Sequence, residues 1–247
     1  MDTNQQPKTL SAFLAGLVTA EPTSHLNLTL VPLRGAGREE IEYTLSADAI
    51  QAGTLVITEV GEGGTVPELL AINEAELMVL LLEGEELVGA KQNRVLNTSV
   101  LLPAKSKTKI PVSCVEAGRW HRRSHGFSSG SYSSSGLRAM MTRSVSNSYR
   151  QLAEPRSDQG RVWAEVDRTM WASGSHSPTR AWFDMMKQKE EALTKYAECL
   201  ACPAEARGVL VAIDGAFVAM DLFDKPSTLA RIWSRLIRGY GVCPSNA

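Results

Sequence analysis

Two hydrophobic periods run through this chain. Leu10, Phe13, Leu14 and Leu17 recur at helical spacing and predict a short N-terminal helix that Pro22 ends. Leu26, Leu28, Leu30 and Pro32 then alternate with Asn27 and Thr29, the period of two of a half-buried strand over 25–33, with 41–45 as its partner. Ser46 is placed to cap a short helix over 47–51 that Gly53 closes. Segments 54–60 and 66–72 are β-rich, separated by Gly61-Glu62-Gly63-Gly64. The unbroken apolar run 77–82 predicts a strand buried on both faces. Gly89 permits a reversal within 88–91. Further strands follow over 94–102 and 110–115, with Pro103 and the 105–109 block as the loop between them.

The second half changes character. Residues 124–136 (SHGFSSGSYSSSG) are a Ser/Gly tract that can bury little, which predicts a flexible excursion. Phosphate binding by its serines and amides is the sharper alternative, and a lid that orders on ligand reconciles the two. Helices are expected over 137–152, 160–172 and 178–200, the last with Pro178 in its first turn. Trp163, Val166 and Met170 form one stripe, and Trp182, Met185, Leu193 and Tyr196 another, both read as core. Asp214-Gly215 between apolar runs 209–213 and 216–223 is a type I′ hairpin signal. A last helix over 227–239 buries Leu229, Ile232, Trp233 and Leu236. Strands at both ends with helices between predict an α+β fold: a mixed, mostly antiparallel sheet core with a C-terminal hairpin and helix. The expected organisation is one domain over 1–247, with a helical insertion at 137–200.

Length and composition narrow the class. At 247 residues and 43% hydrophobic, the chain can bury a sizeable core. No run reaches the ~18 apolar residues of a membrane span, and MDTNQQPKTL lacks the basic start of a secretory signal. A soluble, cytoplasmic protein is the expectation. The net charge of −1 hides an asymmetry: between Lys105 and Arg150 stand nine Lys or Arg residues and one acid, Glu116. A basic middle suits an anionic small molecule such as a phosphate ester; a solvated basic face is the plainer alternative. Nothing points to nucleic acid or membrane.

Candidate chemistry gathers in two polar blocks. Lys91, Gln92, Asn93 and Arg94 follow one apolar run; Glu116, Arg119, Trp120 and His121 follow another. In extended chain Asn93 points away from Gln92 and Arg94, so the latter two share a face. Amide and guanidinium groups suit a base edge, a ribose or a phosphate. A hydrogen-bonded lock between strands is the plainer reading. Glu116, alone in a basic field, is the best acid–base candidate, with Glu86 as its possible second; Glu83 and Glu85 stand nearby. His121 is a weaker acid–base candidate. Whether the two blocks meet is open at this stage. The histidines show no metal-binding spacing, and there is no Walker loop, no GxGxxG and no nucleophile elbow. No metal site is expected, and no cofactor is named by any motif. Cys199 and Cys202 form a CxxC at a helix end rather than a helix start, where the dipole does not activate a thiol. They read as structural, with a thiol sensor as a distant alternative.

The segments GEELVGAKQNR and PVSCVEAGRW, with the tail GVLVAIDGAFVAMDLFDKPSTLARIWSRLIRGY, resemble the ARG-and-rhodanese-phosphatase-superfamily-associated protein family, ARG denoting ADP-ribosylglycohydrolase. The likeness extends over about residues 25–240. The matching positions are Glu86, Gly89, Lys91, Gln92, Asn93, Arg94, Cys114, Glu116 and Trp120. The resemblance implies a link to ADP-ribose or other NAD-derived metabolites. The expected function is therefore binding, and with it any processing, of an ADP-ribose-like anionic nucleotide. In that reading Lys91, Arg94 and Arg119 meet phosphates, Gln92 and Asn93 the ribose or base, and Trp120 stacks. The alternative is a non-catalytic protein-interaction module whose helices supply the partner surface.

Overall fold

The computed structural model describes residues 9–37, 41–61 and 63–242. In chain order its first elements are α1 (Leu10–Ala15), β1 (Val18–Thr19), β2 (Thr23–His25), β3 (Leu28–Arg34), β4 (Tyr43–Leu45), α2 (Ser46–Gln51), β5 (Leu55–Glu59) and β6 (Glu68–Asn73). Then come β7 (Met78–Leu81), β8 (Glu85–Gly89), β9 (Arg94–Leu96), β10 (Val100–Leu102), β11 (Ser106–Cys114) and β12 (Phe127–Tyr132). The rest are α3 (Ser135–Leu152), α4 (Gln159–Ala172), α5 (Trp182–Gln188), α6 (Glu190–Cys199), β13 (Gly208–Ile213), β14 (Ala216–Leu222) and α7 (Pro226–Gly241). The fold is α+β, with mostly antiparallel sheets. No helix among the described residues is long and apolar enough to cross a membrane.

Backbone contacts group into two units. Of the described residues, one unit comprises those up to Glu42 with Ala192–Gly241; the other comprises those of Tyr43–Glu191 and Val242. In the first, β3 pairs antiparallel with β1, β2 and β13, and β13 with β14. The hairpin turn falls at Asp214-Gly215, both with positive φ (50° and 78°), the conformation a type I′ turn demands. In α7 the predicted stripe of Leu229, Ile232, Trp233 and Leu236 is buried, with Ile237 and Tyr240 beside it.

The second unit carries a six-stranded sheet in the order β12-β8-β9-β11-β6-β5 and a three-stranded sheet β10-β7-β4. The outermost strands of the larger sheet, β12 and β5, contact each other, so the sheet curls back around an apolar core. Leu55, Ile57, Leu69, Ala71, Leu87, Leu96, Ile110, Val112 and Phe127 fill that core.

Several expectations change in detail. Segment 41–45 does not partner the 25–33 strand; β4 runs parallel to β7 instead. Ser46 does not cap α2, because its hydroxyl donates to Glu85 Oε2 at 2.6 Å and Leu45 stands at the cap without a side-chain bond. The 77–82 run is not buried on both faces throughout: β7 buries only Val79 and Leu81, and Leu82 is buried after it. The 94–102 segment breaks at Asn97, since β9 stays with β11 while β10 leaves for β7. The 105–109 block is not a loop: Ser106 opens β11, with Lys107 and Lys109 exposed on the strand's solvent side. The Ser/Gly tract is ordered as β12, which needs little side-chain burial because its backbone pairs with β8. The 178–200 helix is two, α5 and α6, and Pro178 lies before both. Ser177 Oγ accepts from Thr179 N (3.3 Å) and Ala181 N (3.0 Å), holding that segment in a turn. Glu62 and Cys243 lie outside the described residues.

Candidate functional site

Strand register sorts the polar residues of the second unit onto two faces. Arg94 is paired with Leu87 on one side and Cys114 on the other, while Val95 is paired with Glu86 and Ser113. Cross-strand partners share a face and neighbours alternate. Arg94 therefore points into the apolar core with Leu87, and Glu86 points to the opposite face.

On the Glu86 face the two polar blocks meet. Asn93 N donates to Glu116 Oε2 (3.1 Å), and Arg119 Nη2 donates to Asn93 Oδ1 (3.1 Å). Arg119 clasps Glu116 with Nε to Oε1 (2.8 Å) and Nη2 to Oε2 (2.6 Å). Thr179 Oγ1 adds a further donor to Oε1 at 2.9 Å. Glu116 thus accepts four hydrogen bonds, the full capacity of a carboxylate. Burial alone would raise its pKa, but these donors and the charge of Arg119 outweigh burial and hold it below the usual carboxylate range. Arg119 is as fully engaged. Its Nη1 also donates to the carbonyls of Ala90 (2.7 Å) and His121 (3.0 Å), and Nη2 to that of Gly89 (3.3 Å). Both residues are buried, so this pair ties the turn after β8 to the segment after β11.

Glu86 lies on the same face in a different state. Its Oε2 accepts from Ser131 Oγ (2.7 Å) and Ser131 N (3.3 Å), while its buried Oε1 makes no hydrogen bond among the described residues. Trp182 Nε1 in turn donates to Ser131 Oγ at 3.2 Å. Burial pushes the Glu86 carboxyl up to about 7, with the negative charges of Glu116 and Asp184 adding to the rise. The bulge in β12 between Ser129 and Tyr132 delivers Ser131 to this carboxyl. Gly130 is required there: a Cβ would stand 2.9 Å from Glu86 Oε2 and 2.8 Å from Val88 Cγ2.

The other face is the end of the apolar core. Glu59 closes β5 at the inward position continued from Leu55 and Ile57. Its Oε2 is 3.8 Å from Arg94 Nη2, both buried. Arg94 Nη1 donates to Gln92 Oε1 (2.8 Å), but Arg94 Nε and Nη2 and Glu59 Oε2 make no hydrogen bond among the described residues. Lys91 N donates to Glu59 Oε1 (3.3 Å), and Lys91 Nζ to the Gly63 carbonyl (2.6 Å). Trp120, 49% exposed, covers this end. The Arg94 guanidinium carbon stands 5.5 Å from its ring centre and Lys91 Nζ 5.7 Å, both in cation–π range. Cys114 is buried here too, and burial pushes its thiol up to about 11, so it is inert.

A family model described as the ARG and Rhodanese-Phosphatase-superfamily-associated Protein domain matches residues 16–243. The chain belongs to this family. No curated protein and no solved structure matches it. Within this family domain, the resemblance drawn from the two polar segments and the tail therefore holds over nearly the whole chain.

All nine sequence-predicted site residues lie in the second unit. Glu86, Asn93, Glu116 and Arg119 come together on one face, and Lys91, Gln92, Arg94 and Trp120 at the core end. The His121 side chain is exposed and joins neither cluster; only its carbonyl is used, by Arg119. Sequence reasoning missed Glu59, Ser131, Thr179 and Trp182. Glu59 was findable, since it continues the inward alternation of Leu55 and Ile57. Thr179 and Trp182 reach Glu116 and Ser131 across 63 and 51 residues, with no local signal. No group of three or more His, Cys, Asp or Glu among the described residues could hold a metal ion.

Proposed function

We propose that the chain binds an ADP-ribose-like anionic nucleotide at the core end marked by Arg94, Lys91 and Trp120. The observation that carries the reading is Arg94: a buried guanidinium with two donor nitrogens unused, covered by a half-exposed indole. Buried donors are rarely left unmade, and each costs about 1–3 kcal/mol. A phosphate or ribose oxygen reaching Arg94 as Trp120 turns aside would fill them. The indole would then stack on the base, and Lys91 and Gln92 would complete the polar contacts. Mouths of β-barrels are common ligand sites, and the family's name, with ARG read as ADP-ribosylglycohydrolase, suggests this class of ligand. Glu116 and Arg119 serve as positioning residues, since their donors and acceptors are filled. Glu86 lies on the opposite face of the sheet from Arg94 and is given no part in this site.

The test is calorimetric titration of wild type and Arg94→Met with ADP-ribose, NAD, AMP and phosphate, with and without Mg²⁺. Saturable binding of ADP-ribose that Arg94→Met weakens at least tenfold supports the reading. Equal affinity in the two proteins, or none in wild type, ends it. The alternative of a protein-interaction module draws on the helices, where Trp171 is 85% exposed and Tyr149 62%. It gains if no nucleotide binds and Trp171→Glu abolishes a complex formed by the intact chain.

A further inference from the structure

Segment 121–125 (HRRSH) is exposed at every position, yet its backbone is held in place. Arg119 Nη1 bonds the His121 carbonyl at 3.0 Å. Arg123 N donates to the Ala90 carbonyl (2.9 Å), and Ala90 N donates to Ser124 Oγ (2.8 Å). Ser124 Oγ itself donates to the Gly126 carbonyl at 2.6 Å. These bonds draw the segment onto Ala90, the residue just before Lys91. Arg123 is thereby brought beside Lys91 in space as well as three residues from Trp120 in sequence, within about 11 Å along the chain.

Among the described residues, no ion pair is formed by the charges of this segment. Arg122 and Arg123 have no ion-pair partner among the described residues. The single acid between Lys105 and Arg150, Glu116, is buried and consumed by Arg119. Arg122 and Arg123, with no acid near them in sequence, thus lie on a backbone held against the residue that precedes Lys91. Guanidinium groups suit phosphate oxygens, which they can grip through two donors at once.

We propose that Arg122 and Arg123 form a second anion subsite, one that takes the outer phosphate of a diphosphate while the inner phosphate lies toward Lys91 and Arg94. The inference deepens the nucleotide reading and rests on it for the inner position. It makes the ligand class a diphosphate-bearing molecule rather than a mononucleotide. Glu116 and Arg119 gain a purpose in it: the clasp fixes the segment that carries the two arginines.

The experiment compares wild type, R122A/R123A and Arg94→Met, each confirmed folded by its thermal melt, in titrations with ADP-ribose, AMP, pyrophosphate and phosphate. Wild type is expected to bind ADP-ribose and pyrophosphate at least tenfold tighter than AMP and phosphate. R122A/R123A is expected to collapse that preference to within about twofold, and higher salt to shrink it in wild type. A wild type without a diphosphate preference, or a double variant that keeps it, overturns the subsite. If wild type binds pyrophosphate through these arginines but no nucleotide, the nucleotide reading falls and the subsite stands. If it binds none of the four, both fall.

Discussion

Asn93 and Glu116, 23 residues apart, are joined by a hydrogen bond from the Asn93 amide to Glu116 Oε2 at 3.1 Å. Through it the polar block after β8 and the polar block after β11 become one network, with Arg119 as its centre. Its chemistry is that of a lock. Both Glu116 oxygens and all the Arg119 nitrogens are spoken for, so neither side chain has capacity left for a ligand.

Breaking that lock should therefore be costly. Arg119→Ala leaves Glu116 as a buried charge without its cation and takes a donor from the carbonyls of Gly89, Ala90 and His121, and loss of one partner of a buried pair costs about 3–5 kcal/mol. Urea unfolding should show a loss of that order. Glu116→Gln should cost about as much although it keeps the shape, because it leaves Arg119 as a buried cation without its anion and sets an amide NH2 against two donors. A loss under about 1 kcal/mol for Arg119→Ala would show the network to be slack.

Glu86 should make stability depend on pH. Its folded carboxyl holds the proton up to about 7, against 4.5 for the ordinary group. Its favourable contribution is thus fully present below about pH 4.5 and is lost as pH rises through 7. The difference corresponds to about 3 kcal/mol at most. Glu116 acts in the opposite sense: its lowered value adds stability above the ordinary carboxylate pKa that is lost in acid. Glu86→Gln should flatten the decline between pH 4.5 and 7 and be the more stable protein at pH 8. An unaltered pH profile of the melting temperature in Glu86→Gln would remove Glu86 as its cause.

The β12 bulge should tolerate little. Gly130→Ala places a methyl against Glu86 Oε2 and Val88 Cγ2 at 2.9 and 2.8 Å. One of them must move, at a cost of about 1–3 kcal/mol. The same substitution at Gly63, where nothing lies within 4 Å of the added methyl and φ, as at Gly130, is not positive, isolates the contribution of lost backbone freedom.

Much of this architecture is legible in the sequence wherever one period governs a segment. Leu26 of the predicted 25–33 strand is exposed in the turn before β3, but the alternation from Leu28 on, the Asp214-Gly215 turn and the α7 stripe each state a local rule that packing does not overrule. The reading fails where a partner from elsewhere decides. Ser46 forgoes its cap for a buried carboxylate 39 residues away. The Ser/Gly tract is ordered by the edge of β8, which composition does not reveal. The two polar blocks were legible as candidates, but which of their members are locked and which are open depends on Thr179, Ser131 and Glu59. Only Glu59 announced itself, by its place in an alternating strand.

Thiol reactivity should follow burial. Cys199 is exposed, Cys202 is half-buried with its thiol pushed up by burial, and Cys114 is buried. Among the described cysteines, site-resolved alkylation of the native protein should modify Cys199 first, Cys202 more slowly and Cys114 only on unfolding. Rapid modification of Cys114 would mean that the core end opens far more often than its packing implies.

The Arg94–Glu59 pair separates function from stability more sharply than any other site. At 3.8 Å the two charges attract without a direct hydrogen bond, and three of their polar atoms go unused in a buried setting. An ion pair so poorly satisfied does not repay its desolvation, and apolar replacements of similar volume are often neutral or stabilising by about 1–4 kcal/mol. The double variant Glu59→Leu/Arg94→Met, extending an apolar core that already reaches Leu87, should thus be at least as stable as wild type. Arg94→Met alone should lose about 3 kcal/mol or more, since Glu59 is then a buried charge without its cation. The proposed site predicts that both variants lose nucleotide affinity. A double variant that is stable and still binds would assign Arg94 to the core alone; one that unfolds would show the pair to be a structural requirement in its own right. Stability kept with binding lost is the outcome expected of a charge retained for a ligand.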